Sequence, residues 1–275
     1  MPRDYAARLV SNERLTEDVA DLRFELAGQP KTAGTEPRAL PEPGREQALH
    51  TLFNHNPLTL RPGQFAHLAA PGVFLRRPIS IAGFDPAANL VRFIIRLVGE
   101  GTRNLAMLKP GGTTKILLPL GNPFPLDSSG DIWLVGGGLG VAPLLYLAKT
   151  LSGTVRGLRS FLGFGDERSV FGAQEMNELS EMTLDIGGFI TDRVTGALTS
   201  KRPDVIFSCG PKPMMGALKK ICAARRVPLY VSLEERMGCG VGACLVCSCA
   251  VHGTAGYRRV CRDGPVFGAE EVVLS

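Results

Sequence analysis

No run of this 275-residue chain is apolar for long enough to cross a bilayer, and the opening Met1-Pro2-Arg3-Asp4-Tyr5 has no apolar h-region. Neither a membrane anchor nor a secretory leader is expected, and the chain is expected in the cytoplasm. There is no extended Lys/Arg tract with interleaved aromatics, and the formal charge is only +5, so nucleic acid is not an expected partner. The short basic clusters Lys219-Lys220, Arg225-Arg226 and Arg258-Arg259 read as solvated faces. Two of them flank a cysteine-rich segment, which leaves a docking surface for a partner as the alternative. No Ser-His-Asp set, zinc-protease helix or Gly-Lys-Thr/Ser phosphate loop stands out, which argues against chemistry by a side-chain nucleophile or acid–base pair. His50 and His55 sit in or beside a polar stretch with no third ligand near them, and read as solvent-facing. In a reducing compartment the cysteines are expected as ligands rather than as a disulfide framework.

What is present is concentrated near the end of the chain. Four residues separate Cys239 from Cys244, two separate Cys244 from Cys247, and thirteen separate Cys247 from Cys261. The first two gaps are the plant-type ferredoxin spacing for a 2Fe-2S cluster. A loop around a small cluster with several sulfide acceptors turns tightly and aims backbone N–H groups inward. Gly238, Gly240 and Gly242 give the backbone that freedom. A structural zinc knuckle is the alternative, since four cysteines also suit tetrahedral zinc. Knuckles usually present two Cys-x-x-Cys pairs, and only Cys244 with Cys247 makes one here. Spacing and glycines put the iron-sulfur reading first, with Cys239, Cys244, Cys247 and Cys261 as ligands. Cys249 lies two residues beyond Cys247 and can replace it on sequence grounds, although the two-residue gap favours Cys247. Cys222, on a predicted helix, reads as an ordinary buried thiol.

The length and apolar content suit a multidomain chain of two domains and a small appendage. Residues 6–10, 19–26, 64–69, 77–82, 90–98 and 115–118 are short, β-rich and separated by turn residues, which predicts an antiparallel β-barrel. Between 28 and 62 the texture changes to Pro, Gly, Thr, Glu and Arg, the composition of a long loop or partly disordered insertion. From Asp131 strands alternate with helices. Residues 132–135 predict a buried strand that runs into Gly136-Gly137-Gly138-Leu139-Gly140 and then an apolar helix to about Leu151. Further parallel strands are predicted at 160–163 and 205–208, and a helix at 211–226. This is an α/β parallel-sheet domain of nucleotide-binding type. The expected organisation is a barrel over 1–127, the α/β domain over 128–227 and a small cluster-binding subdomain over 228–275. Glycines after a strand let the backbone approach a pyrophosphate at a helix N-terminus, but a tight turn without ligand explains them equally well. Cys209-Gly210-Pro211 would end a later strand of the same sheet, on the side where ligands of open α/β sheets bind.

Three segments together carry a resemblance. Arg77-Pro78-Ile79-Ser80 is similar to the flavin-binding motif of the ferredoxin reductase superfamily, and residues 136–143 with Cys209-Gly210-Pro211 resemble its nicotinamide-nucleotide domain. The cysteine segment, with Glu234-Glu235-Arg236-Met237 before it and Arg262-Asp263-Gly264-Pro265-Val266-Phe267 after it, narrows the resemblance. It points to the electron-transfer subunits of NAD-dependent, two-subunit dihydroorotate dehydrogenases. The resemblance implies FAD held by Arg77, Pro78, Ile79 and Ser80, with the arginine near the pyrophosphate and the serine near the reactive ring edge. It further implies flavin contacts from Ile94, Ile95, Arg96, Gly101 and Thr102. NAD would lie along Gly136, Gly137, Gly138, Gly140, Cys209, Gly210 and Pro211, and the four cysteines would hold a 2Fe-2S cluster.

The resemblance also implies a partner, an FMN-containing catalytic subunit where dihydroorotate becomes orotate, in a heterotetramer of two plus two. This chain would pass electrons from that FMN through the cluster and FAD to NAD+, in pyrimidine (UMP) biosynthesis. Similar subunits of NAD(P)H-ferredoxin transhydrogenases or sulfhydrogenases often have aspartate where Cys239 stands, so the all-cysteine set favours the pyrimidine reading. A stand-alone NAD(P)H reductase and a zinc-stabilised, non-enzymatic binding module are the remaining alternatives. Asp166 and Glu167, after a predicted strand, would repel a 2'-phosphate, whereas the adjacent Arg168 would attract one. The resemblance does not account for the length of the 28–62 stretch or for the extra thiol of Cys249.

Overall fold

The computed structural model describes residues 2–27, 58–253 and 256–274. Most of the 28–62 stretch, with His50 and His55, lies outside these residues.

The first half of the chain forms β1 (Arg3–Arg14), β2 (Val19–Leu26), β3 (Phe65–Leu68), β4 (Arg77–Ser80), β5 (Gly83–Asp85), β6 (Leu90–Arg96), helix α1 (Glu100–Ala106) and β7 (Thr113–Leu120). The strands make one antiparallel sheet in the order β4-β3-β7-β1-β2-β6-β5. Its period-2 pattern is visible in β1, where Tyr5, Ala7 and Leu9 point inward between exposed neighbours. Leu22, Phe24, Phe93, Ile95 and Ile116 close the core behind it. The ends of the order, β4 and β5, do not pair, so the predicted barrel is an open half-barrel.

The second half contains β8 (Asp131–Gly137), α2 (Val141–Leu151), β9 (Gly157–Phe164), α3 (Ala173–Leu179), β10 (Glu181–Ile186), α4 (Ile190–Ala197), β11 (Val205–Cys209), α5 (Lys212–Arg225) and β12 (Leu229–Ser232). All seven residues of β8 are buried, as expected of a central parallel strand covered on both faces. The sheet order is β10-β9-β8-β11-β12, with one further strand from the end of the chain beyond β12, so the chain winds outward from β8 in one direction and then restarts at β11 on the other side. That reversal opens a crevice at the carboxyl ends of β8 and β11.

The last segment adds β13 (Ser248–Ala250), β14 (Tyr257–Arg259), a short helix α6 (Val260–Asp263) and β15 (Val266–Gly268). β13 and β14 form a two-stranded ladder, but β15 leaves them and pairs antiparallel with β12. The appendage is therefore built into the edge of the parallel sheet. Asn122, just after β7, donates to the Val266 carbonyl at 2.9 Å and accepts from the Val266 N–H at 3.0 Å, which fixes this segment to the half-barrel as well. Two further contacts fix the half-barrel to the parallel sheet. Arg92 of β6 binds Asp21 at 2.8 Å and Glu175 of α3 at 2.7 Å, and the Tyr146 hydroxyl of α2 donates to the Leu60 carbonyl at 2.7 Å.

Candidate functional site

A cavity of about 400 Å³ lies where the three parts of the chain meet. Strand β4 supplies Arg77, Pro78, Ile79 and Ser80 to its wall, and Ile94, Arg96 and Thr102 come from β6 and α1. Alternation along β6 decides which predicted residues reach it. Ile94 and Arg96 face the cavity, whereas Ile95 points into the half-barrel core and is fully buried there. Gly101 lies directly under the Arg77 side chain, and a Cβ there would run into the guanidinium. The Thr102 hydroxyl donates to the Gly99 carbonyl at 3.1 Å and closes the first turn of α1. Arg77 Nε is buried with no hydrogen-bond partner among the described residues. Arg96 pairs with Asp18 at 3.3 Å. A buried, unpartnered guanidinium N–H beside a second arginine fits the diphosphate of a dinucleotide.

On the other side of the cavity the glycine loop and Cys209-Gly210-Pro211 come together at the crevice. Their glycines are used mainly for close packing. Gly136 lies under Val141 and Leu144, Gly137 against Met214 and Pro211, and a Cβ on Gly140 would collide with the Cys209 carbonyl and come within 2.6 Å of Gly210 N. Gly138 takes a left-handed conformation (φ +51°) and faces Arg96, and Gly210 also has a positive φ (+154°). Cys209 is buried, which pushes its thiol pKa strongly upward, with the Glu234 carboxylate adding to the effect. Asp166 and Arg168 line a larger cleft of about 690 Å³ together with Arg14 and Asp18. The Asp166 carboxylate accepts the Ser169 N–H at 2.9 Å, so it is held in place while Arg168 stands beside it.

The four predicted cysteine ligands fall into two pairs. Cys239 Sγ accepts backbone N–H groups from Val241 at 3.4 Å, Ala243 at 3.2 Å and Cys244 at 3.4 Å, and Cys239 N–H returns a bond to Cys244 Sγ at 3.4 Å. Left-handed turns at Gly240 (φ +72°) and Gly242 (φ +83°) aim these groups inward. Burial opposes ionisation of Cys239, yet the converging N–H groups bring its thiol down to about 6. The second pair is deeper. Cys261 N–H points at Cys247 Sγ at 3.4 Å, and burial, with Cys247 beside it, pushes the Cys261 thiol up to about 12. Two pairs of thiols, with N–H groups already turned toward sulfur, fit a two-iron cluster. Among the described residues no three His, Cys, Asp or Glu side chains gather around a single point. Cys249 is buried in the apolar core, with its thiol pushed up by burial and by the Glu235 carboxylate. Cys222 is likewise buried on α5, its thiol pushed up to about 12. All seven cysteines are free thiols.

Four further residues belong to this region although none is among the residues predicted for the site. Glu234 and Met237 line the cavity, with Met237 two residues before Cys239. Burial among the surrounding protein atoms raises the Glu234 pKa, while Arg96 pulls it back. Phe65 of β3 lines the same cavity, and its ring stands 5.8 Å from that of His67. Glu234 and Met237 adjoin the cysteine motif in sequence, which could have flagged them. Nothing in sequence separates Phe65 and His67 from ordinary strand residues.

Comparison with known proteins agrees with this geometry. Residues 234–273 match the family described as the iron-sulfur cluster binding domain of dihydroorotate dehydrogenase B. The chain is 45% identical over 228 residues to the dihydroorotate dehydrogenase B (NAD(+)) electron transfer subunit of Bacillus caldolyticus, covering 78% of this chain and 87% of that protein. It is 36% identical over 277 residues to the subunit of the same name from Caldanaerobacter subterraneus, covering 98% of both. Among solved structures, a chain of the NADH-dependent reduced ferredoxin-NADP oxidoreductase superposes with a TM-score of 0.77 at 27% identity, covering 98% of this chain and 90% of that one. The ferredoxin reductase of carbazole 1,9a-dioxygenase, at 19% identity and a TM-score of 0.66, covering 84% and 69%, shares the fold. At these identities and coverages the chain belongs to the family of electron-transfer subunits of NAD-dependent dihydroorotate dehydrogenase B.

Proposed function

We propose that this chain is the electron-transfer half of a dihydroorotate-oxidising complex in pyrimidine biosynthesis, relaying electrons from the FMN of a separate catalytic subunit to NAD+. A 2Fe-2S cluster passes single electrons, NAD+ takes two as hydride, and FAD, which handles either, bridges the difference. The observation that carries this reading is the cavity shared by all three parts of the chain, with Met237 on its wall two residues before Cys239. Arg77 and Arg96 would hold the FAD diphosphate, and Ile79, Ser80 and Ile94 would seat its ring. Gly138 and the Gly210 turn would admit NAD at the crevice between β8 and β11. Cys239 with Cys244, and Cys247 with Cys261, would hold the cluster. The expected organisation into 1–127, 128–227 and 228–275 assigns one group to each part. Orotate formation belongs to the partner. A complex of two plus two subunits in the cytoplasm accords with the family resemblance, and no described helix is long and apolar enough to cross a membrane.

Anaerobic titration of the purified chain with NADH, followed in the visible spectrum, tests this. Flavin and iron-sulfur bands that both bleach support it, and dihydroorotate-dependent NAD+ reduction on adding the partner completes it. A colourless, zinc-containing chain would replace it with the binding-module reading.

A further inference from the structure

His67 is a buried polar side chain that the site described above leaves without a role. It lies on β3, which pairs with flavin-side β4 so that His67 is directly opposite Pro78. The strand's two faces serve different cores: Ala66 and Leu68 enter the half-barrel, whereas Phe65 packs into the core that contains Cys247 and Cys261. His67 shares the Phe65 face, and a register shift against β7 between the two residues re-aims that face. Only 1% of His67 is exposed, and its Nε2 has no hydrogen-bond partner among the described residues. Its ring lies beneath Gly240 of the cysteine loop. A Cβ on Gly240 would stand 2.7 Å from Cε1 and 2.9 Å from Nε2. Gly240 follows Cys239 and sits within the turn whose N–H groups converge on Cys239 Sγ. Phe65 touches the cavity, His67 stands against Phe65, and the cysteine loop rests on His67. The imidazole is thus a contact between the flavin side and the cluster side of the molecule.

We propose that His67 is the positioning residue of the cluster loop: its imidazole seats the turn carrying Cys239, and its Nε2–H donates to a sulfur of the group the four cysteines hold. The inference rests on the iron-sulfur reading above. A buried ring nitrogen costs free energy unless it finds a partner, none of the described residues supplies one, and the ring lies against Gly240 next to Cys239, so a sulfur of the bound group is assigned as that partner. Burial, with the positive charge of Arg76 adding to it, lowers the His67 pKa to about 4, so the ring is neutral near pH 7 and carries one N–H. A hydrogen bond to sulfur favours the more negative, reduced state and raises the reduction potential.

The test uses the full chain, purified anaerobically with its native iron and flavin. In His67→Phe the ring volume is kept and the donor removed. The expected result is a cluster harder to reduce by about tenfold in its one-electron equilibrium constant, equivalent to about 59 mV, with the flavin potential unmoved. His67→Gln, which keeps an N–H, recovers part of the shift. An iron-replete His67→Phe protein with an unshifted potential overturns the inference. Because either variant can lose iron, the unsubstituted chain labelled with ¹⁵N-histidine provides an independent readout. Pulsed electron paramagnetic resonance of the reduced cluster should show a histidine nitrogen coupling. No coupling, or a coupling that persists in iron-containing His67→Gln, overturns the inference while leaving the iron-sulfur reading intact. A chain with no iron-sulfur signal at all overturns both.

Discussion

The glycine-rich loop after β8 and the one around Cys239 use glycine for opposite reasons. In the first, Gly136, Gly137 and Gly140 remove side chains so that backbone can press on backbone and helix on strand. In the second, Gly240 and Gly242 adopt left-handed turns so that N–H groups converge on a sulfur. One loop is about space and the other about direction. Glycine content alone reveals neither use. The close-packed loop is part of the fold's core, so errors there should unfold the chain. The directional loop lies at the surface of the appendage, so errors there should spare the fold and cost iron.

The largest effect is expected at Cys244, where Cys244→Ser should lower iron per chain by roughly tenfold or more, as read by colorimetric iron analysis. Flavin content should stay at its wild-type value, and a parallel loss of flavin would break the distinction between the two regions. Next, Gly140→Ala should destabilise the chain by about 3 kcal/mol, because the added methyl meets rigid backbone at Cys209-Gly210. A thermal midpoint equal to that of wild type would show that the close packing does not matter. Gly240→Ala adds a left-handed penalty of about 1–2 kcal/mol and a contact with His67. It should reduce iron content about tenfold while moving the thermal midpoint of the iron-free chain far less than Gly140→Ala does.

A pH series sharpens the contrast further. The His67 pKa is lowered from 6.5 to about 4 in the folded chain, so between these values the unfolded state binds a proton that the native state does not. Stability contributed by the neutral ring is whole above pH 6.5 and falls by about 1.4 kcal/mol per unit as the pH drops toward 4. Denaturant midpoints of wild type minus His67→Phe, measured from pH 7 to 4, should follow that slope. The smallest effect is expected at Cys249, where Cys249→Ser should leave iron per chain unchanged. Loss of iron there would mean that Cys249, rather than Cys247, is a ligand.

What could be read in the chain follows how local each signal is. The first three cysteines, Arg77-Pro78-Ile79-Ser80 and the glycine loop each lie within a dozen residues, and the structure brings them around one region. Ile95 was legible in principle, since a strand cannot send Ile94, Ile95 and Arg96 to one face, and the structure puts Ile95 in the opposite core. β15 was not legible, because Val266–Gly268 is too short to carry a period and its partner β12 is distant in sequence. The open edge of the half-barrel and the approach of His67 to Gly240 likewise arise only when distant segments pack. All four residues of β3 are buried, and burial on both faces hides which face meets which neighbour.

β15 carries a further consequence for the chain before its metal arrives. It begins five residues after Cys261 and makes three pairings, Tyr230 with Gly268, Val231 with Phe267 and Ser232 with Val266. Those pairings cover the flank of β12, which would otherwise present an unpaired row of backbone donors and acceptors. Tethering Cys261 also tethers this cover, so a chain still waiting for iron guards its sheet edge with these three pairings and the Asn122 bonds to Val266. Seating the cluster and covering this edge therefore reinforce each other, and the iron-free chain should exchange the amide hydrogens of β12 faster than the iron-loaded chain while its half-barrel stays folded.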